Sequence, residues 1–101
     1  MVVIYKKPKD PDAFDKHYFE THVPLAKRLP GLIKYEVSKG QITAIAGNQE
    51  PYLIGILYFD SMAALKEAFA SECGKACAAD RRVLAPEDED VQMYLYESQA
   101  V

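Results

Sequence analysis

The stretch from Tyr52 to Phe59, YLIGILYF, is apolar on both of its alternating faces. A strand of that kind belongs in the middle of a sheet, with a layer on each side of it. A chain of 101 residues has room for one domain and one core, so residues 1–101 are read as a single unit. The rest of the chain must therefore supply the neighbours of this strand and the cover for its two faces.

Three other segments read as strands. Val2 to Lys6 is rich in β-branched and aromatic residues and is stopped by Pro8 and Pro11. Leu32 to Ser38 sets Ile33, Tyr35 and Val37 against Lys34, Glu36 and Ser38, a clean period of two. Val91 to Glu97 alternates Val91, Met93 and Leu95 with Gln92, Tyr94 and Tyr96. Between Gly40 and Pro51, turn signals at Gly40 and Gly47-Asn48 surround an apolar patch, compatible with a strand continuation or a short hairpin arm.

Two helical regions separate the strands. Asp10 before Pro11 is a start signal, an oxygen for an orphan amide followed by proline at the first helical position. Phe14, Tyr18, His22, Leu25 and Leu29 then recur at helical spacing as one stripe. Pro24 interrupts it by removing the bond from its own amide to the carbonyl of Glu20, which predicts a kink near Thr21 to Val23. The helix resumes to Leu29, and Pro30-Gly31 ends it. Asp60 or Ser61 caps the second region, with Met62, Leu65, Ala68 and Phe69 inward. Ser71 and Gly74 suggest a break before a further piece through Ala76, Cys77, Asp80 and Leu84. Glu87 to Asp90 is an acidic, solvated turn.

The order β-α-β-β-α-β is the ferredoxin-like α+β arrangement, a four-stranded antiparallel sheet with its helices on one face. That leaves one face of the apolar central strand open. A soluble monomer does not tolerate a large bare apolar face. The expected solution is a symmetric homodimer in which two sheet faces meet and form a shared barrel.

Charge and composition narrow the partners. A net charge of −3 and only small, separated basic groups argue against nucleic acid. No uncharged stretch reaches membrane-spanning length, and the N-terminal apolar run is too short for a secretory signal. A cytoplasmic location is the expectation. Cys73 and Cys77 lie four apart on one helix and read as free, small buried hydrophobes.

The candidate chemistry centres on His22. It lies four residues after Tyr18, so both side chains project toward the sheet, and imidazole titrates near neutrality. The competing reading is a core histidine bonded to the carbonyl that Pro24 frees. His17 points off the stripe and reads as a surface residue. Tyr18 and Tyr35 either orient a substrate carbonyl through their hydroxyls or fill the core. The face on which Tyr35 lies is open at this stage. No metal site is expected, because histidines five apart do not share an α-helical face. Asp80 reads as a capping or salt-bridging carboxylate.

The segment HYFETHVPLAKRLPGLIKYEVSKG, with Tyr18, His22, Pro24, Leu25, Leu29, Pro30, Gly31 and then Tyr35, resembles the EthD family, first associated with ethyl tert-butyl ether degradation. The strand end Phe59-Asp60-Ser61, the alanine-rich helix with Asp80 and the tyrosine-bearing last strand are similar too. The resemblance implies a dimeric α+β barrel and a small catabolic or biosynthetic enzyme or accessory protein. Shared fold does not select the reaction. Members of related barrels that isomerise methylmuconolactones use a pocket histidine near tyrosines, which His22 with Tyr18 and Tyr35 matches. Tryptophan, found in the pocket of some cofactorless oxygenases of this architecture, is absent here.

The resulting expectation is binding of a compact apolar carbonyl compound between the first helix and the sheet. His22 would shuttle a proton and Tyr18 and Tyr35 would bind the substrate, in an isomerisation or a cofactorless oxidation with no cofactor and no metal. The alternatives are a non-catalytic dimer that binds a hydrophobic ligand, and a haem-binding relative with His22 as axial ligand.

Overall fold

The computed structural model describes all 101 residues. Four strands, β1 (Val2–Lys6), β2 (Lys34–Val37), β3 (Pro51–Tyr58) and β4 (Val91–Tyr94), form one sheet in the order β2-β3-β1-β4. Every neighbouring pair is antiparallel. This is the ferredoxin-like order expected from the sequence, with the doubly apolar strand β3 in the interior.

Register sorts the side chains into two faces. Val3 lies opposite Gly55 and Met93, Tyr5 opposite Leu53 and Val91, and Tyr35 opposite Leu57. These residues share the helix-covered face, where Val3, Tyr5, Leu53 and Leu57 are buried. Tyr35 is thereby assigned to the helix side. Val2, Ile4, Ile54 and Ile56 lie on the far face and are only partly buried, beside Tyr94 and Tyr96, each 51% exposed. No element of the chain covers that face. There Tyr58 donates to Glu36 at 2.8 Å, while the Lys34 ammonium sits 5.0 Å from the Tyr58 ring centre.

The helical layer starts at α1 (Pro11–His17), where the Asp10 side chain accepts from the Ala13 amide at 3.1 Å. Such a cap is worth about 1 kcal/mol. The helix runs on through a π-turn, Tyr18–His22, into α2 (Val23–Ala26), with right-handed helical dihedrals across both junctions. Proline explains the π-turn. An α-register would set the Pro24 ring against the Glu20 carbonyl with no amide to bond it. The amide of Val23 instead reaches back five residues to Tyr18, a wider turn that absorbs one extra residue.

The extra residue moves the buried stripe. Phe14, Tyr18 and His22 are buried as expected, but Ala26 replaces Leu25 as the next fully buried residue before Leu29. Regular helix ends at Ala26, and single hydrogen-bonded turns carry the chain to Leu29 and Leu32. The segment from Ser38 to Glu50 is neither a strand continuation nor a hairpin arm but irregular chain. Ile33, placed by alternation with the inward set, precedes β2 and is 59% exposed.

Ser61 caps α3 (Met62–Ala70) and Ser71 caps α4 (Glu72–Leu84), each side chain accepting an amide three residues on. The sharp junction depends on Gly74. A Cβ there would stand 2.3 Å from the Ala68 carbonyl oxygen and 2.4 Å from the Phe69 Cα. Helix α4 packs on α2 and on the π-turn, which brings Asp80 to the histidines. No helix is long and apolar enough to cross a membrane.

Candidate functional site

Between the sheet and the helical layer lies a cavity of about 620 Å³. Fifteen of its twenty lining residues are hydrophobic, so its walls suit an apolar body. Tyr5, Tyr18, Tyr35, His22 and Arg81 supply the polar points of its interior, and Met93 and Leu95 border it from the edge of the sheet. Met93 and Leu95 are about half exposed, at 46% and 50%, although they lie on the helix side.

His22 is held by a carboxylate. Its Nδ1 lies 2.7 Å from Oδ2 of Asp80, and the other oxygen, Oδ1, lies 2.8 Å from Nε2 of His17. The expected rival partner of His22, the carbonyl beside the proline, is therefore not the group it uses. The π-turn accounts for both histidines meeting one carboxylate. Residues five apart diverge by about 140° on an α-helix, whereas the one extra residue of the π-turn gives them the spacing of positions four apart, about 40° from alignment. The expectation that His17 faces away from the stripe fails for the same reason. His17 is the outer member of this chain of three, with side chains 34%, 13% and 11% exposed from His17 through Asp80 to His22.

Electrostatics select the protonation states. Burial raises the Asp80 carboxyl, but the hydrogen bonds from His17 and His22 outweigh it and hold Asp80 below the usual carboxylate range. Burial lowers the pKa of His22, and the pull of Asp80 in the opposite direction only partly offsets this. A neutral His22 next to an ionised Asp80 must place its proton on Nδ1, because the carboxylate has none to offer. That leaves Nε2 as a lone pair without a protein partner. Since no buried side-chain nitrogen or oxygen lacks a partner, Nε2 is accessible, in a residue that lines the cavity.

Beside the imidazole, whose ring centre lies 5.3 Å from that of Tyr18, the hydroxyls of Tyr18 and Tyr35 bond each other. Tyr18 is 1% exposed and its ring stacks on Phe14 and meets Tyr5 edge-on. Tyr18 donating to Tyr35 leaves no buried O–H unmade, and it frees the Tyr35 proton for a group in the cavity. Burial pushes Tyr18 above the usual phenol range and Tyr35 up to about 12, so both are neutral donors at ordinary pH.

Gly55 makes room for this pair. A Cβ at Gly55 would lie 3.0 Å from the Tyr18 hydroxyl and 3.5 Å from the Tyr35 ring. A glycine inside an otherwise apolar strand marks a close approach of this kind, and it is the signal in the sequence that locates the tyrosines. Asp80 carried a signal too: it lies three residues after buried Cys77 on the inward face of α4, where a carboxylate needs a partner.

The cysteines do not form a nucleophilic site. Cys77 borders the cavity, but burial pushes its thiol up to about 12, and the Cys73 thiol donates to the Leu25 carbonyl at 3.3 Å. No group of three or more histidine, cysteine, aspartate or glutamate side chains converges in a way that would hold a metal ion. Nε2 of His22 is the one imidazole nitrogen at the cavity left open to a ligand.

Three comparisons place this architecture among known proteins. The model of the EthD domain matches residues 6–88. An uncharacterized 11.0 kDa protein from the thcB-thcC intergenic region of Rhodococcus erythropolis is 38% identical over 81 residues, covering 79% of this chain and 77% of the relative. The crystal structure of an EthD family protein from Bacillus halodurans superposes with a TM-score of 0.85 at 31% identity, over 97% of this chain and 95% of the other. The shared fold, the matched family model and the resemblance carried by the first helix agree: the chain belongs to the EthD family.

Proposed function

We propose that this protein binds a compact apolar carbonyl compound in the cavity and moves a proton on it, with His22 as the base. The observation that carries the reading is the His22 ring itself. Its Nδ1 is tied to Asp80 at 2.7 Å, and its Nε2 lone pair is unpaired in a residue bordering an apolar cavity. A neutral imidazole whose tautomer is imposed by a carboxylate is a competent proton acceptor near neutrality.

In this reading a proton on the carbon next to the carbonyl passes to Nε2, and the C–H electron pair forms the enolate. The developing oxyanion accepts the Tyr35 O–H, which Tyr18 supports from behind. Where the carbonyl compound carries a β,γ double bond the anion is a dienolate, and return of the proton from Nε2 to its γ-carbon completes an isomerisation, with no net oxidation and no co-reactant. Asp80 stabilises the imidazolium formed midway, and His17 balances the second oxygen of Asp80 at the more exposed end.

The uncovered sheet face supports a homodimer through Ile4, Ile54, Ile56 and the exposed Tyr94 and Tyr96. Sedimentation should give a dimer at micromolar concentration, and Ile56→Lys should convert it to monomer. A wild-type monomer would end that part of the reading. For the chemistry, deuterium exchange at the α-carbon of a bound ketone, followed by NMR, is the direct assay. His22→Gln should abolish exchange and leave ligand affinity and oligomeric state unchanged. Exchange at the wild-type rate in that variant overturns the assignment. Binding with no exchange in the wild type identifies a carrier instead.

A further inference from the structure

The charged side chains around the cavity are of one sign. Lys66 of α3 and Arg81 and Arg82 of α4 are among the residues lining it, and no aspartate or glutamate is. In a chain with an excess of acidic groups, that segregation runs against the overall charge. Lys66 and Arg82 are exposed and stand at the mouth, whereas the Arg81 side chain is only 12% exposed.

Arg81 lacks a close counter-ion. Its Nη1 donates to the Ala85 carbonyl at 3.1 Å. The one carboxylate it pairs with is Asp88, 3.8 Å away from Nη2 and itself wholly exposed. Asp80, its neighbour in sequence, has both oxygens occupied by His17 and His22. A guanidinium carries five donors in a planar fork, and taking it out of water is unfavourable unless an anion answers it. Asp88 answers it only from open solvent, and no acid lines the cavity, so the guanidinium has no buried carboxylate partner.

We propose that the cavity is selective for a monoanion: an apolar or aromatic body bearing one carboxylate, with the carboxylate on Arg81 and the body against the hydrophobic lining. Lys66 and Arg82 at the mouth draw the anion in, and the nearest carboxylate, Asp80, stands behind His22 with both oxygens bound by histidines. The proposal rests on the reading of this cavity as the ligand site and adds the class of compound that enters it. A neutral carbonyl compound of the same shape then binds more weakly, and a dication is excluded.

The test compares 1-naphthoate with 1-naphthamide, which have nearly the same shape and differ in charge, by isothermal titration calorimetry on the full chain. The wild type should bind 1-naphthoate about tenfold more tightly, in line with the greater strength of charge-assisted bonds. Added salt should weaken the preference. Arg81→Gln should erase it while leaving 1-naphthamide affinity unchanged, and Arg82→Gln, at the exposed mouth, should reduce it in part. Equal affinity for the two probes, or no binding of either, overturns the proposal, as does an undiminished preference in Arg81→Gln. His22→Gln separates the two claims. A retained preference with normal isotope exchange in that variant refutes the proton shuttle alone, and an undiminished preference in Arg81→Gln refutes the anion site alone.

Discussion

Replacing Gly55 by alanine tests whether the tyrosine pair is seated by the missing side chain. In a strand, glycine costs about 0.5–1 kcal/mol relative to alanine, so an unobstructed Gly55→Ala would stabilise the fold by that amount. The site is obstructed. The new methyl carbon would lie 3.0 Å from the Tyr18 hydroxyl, which must move a few tenths of an ångström. Tyr18 is 1% exposed, stacked on Phe14 and bonded to Tyr35, so it has little freedom to yield. Overpacking of a close-packed core typically costs about 1–3 kcal/mol. The clash therefore outweighs the strand gain, and a net loss of about 1 kcal/mol is expected, equivalent to a fall in Tm of roughly 4–8 °C for a domain of this size. Tyr18→Phe removes the obstructing oxygen and leaves the Tyr35 ring at an ordinary 3.5 Å. In that background Gly55→Ala should be neutral or stabilising by about 0.5 kcal/mol. A double-mutant cycle from urea melts measures the coupling, which should reach about 1–2 kcal/mol. The reasoning is refuted if Gly55→Ala stabilises the otherwise unaltered chain, or if it costs the same with and without the Tyr18 hydroxyl.

Two other perturbations read the same structure at different places. Gly74→Ala sets a methyl group 2.3 Å from the Ala68 carbonyl oxygen, against backbone that no side-chain rotation can relieve. Despite a helix-propensity gain of about 1 kcal/mol, the α3–α4 junction must open, and a loss of about 3 kcal/mol or more is expected; a thermal melt within a degree or two of wild type would contradict this. Stability should also fall with acid. His22 is depressed in the folded chain, so the unfolded chain binds more protons below the ordinary histidine value of about 6.5. Its contribution is intact above that pH and is lost as the pH drops toward the folded value, by at most about 1.4 kcal/mol per pH unit. Asp80, also depressed, keeps its contribution above the ordinary carboxylate value and loses it as the pH falls through its folded pKa. Tm measured from pH 7 to 5 should decline, and His22→Gln should flatten that limb; a constant Tm over the range would show that His22 is not held neutral by burial.

The parts of the site that could be read from the sequence follow from periodicity. Tyr18 and His22 are legible as inward residues because they open and close the π-turn on its buried side, and the same stripe misplaces Leu25, beyond the turn, because it assumes uninterrupted α-helix. Pro24 announced an irregularity but not its form. A kink, a break and a π-turn all satisfy a missing amide, and the packing of α4 against this segment accompanies the one observed. His17 reads as a surface residue and Asp80 as a capping or salt-bridging carboxylate, and neither carries a reason to meet the other across 63 positions.

What the sequence determined by itself is the architecture. Alternation in four strands, a doubly apolar β3 and two capped helical regions specify an antiparallel sheet with one covered face, since these are short-range patterns that the backbone must obey. The EthD resemblance lies in that same local grammar of Tyr18, His22, Pro24 and Gly31. Tertiary structure alone decided which face holds Tyr35, that His22 answers to Asp80 and not to a carbonyl, and that Arg81 lies beside a cavity without an acid. Those are relations between segments dozens of residues apart. They depend on register and on one inserted helical residue, which rotate side chains by amounts that no period in a single segment records.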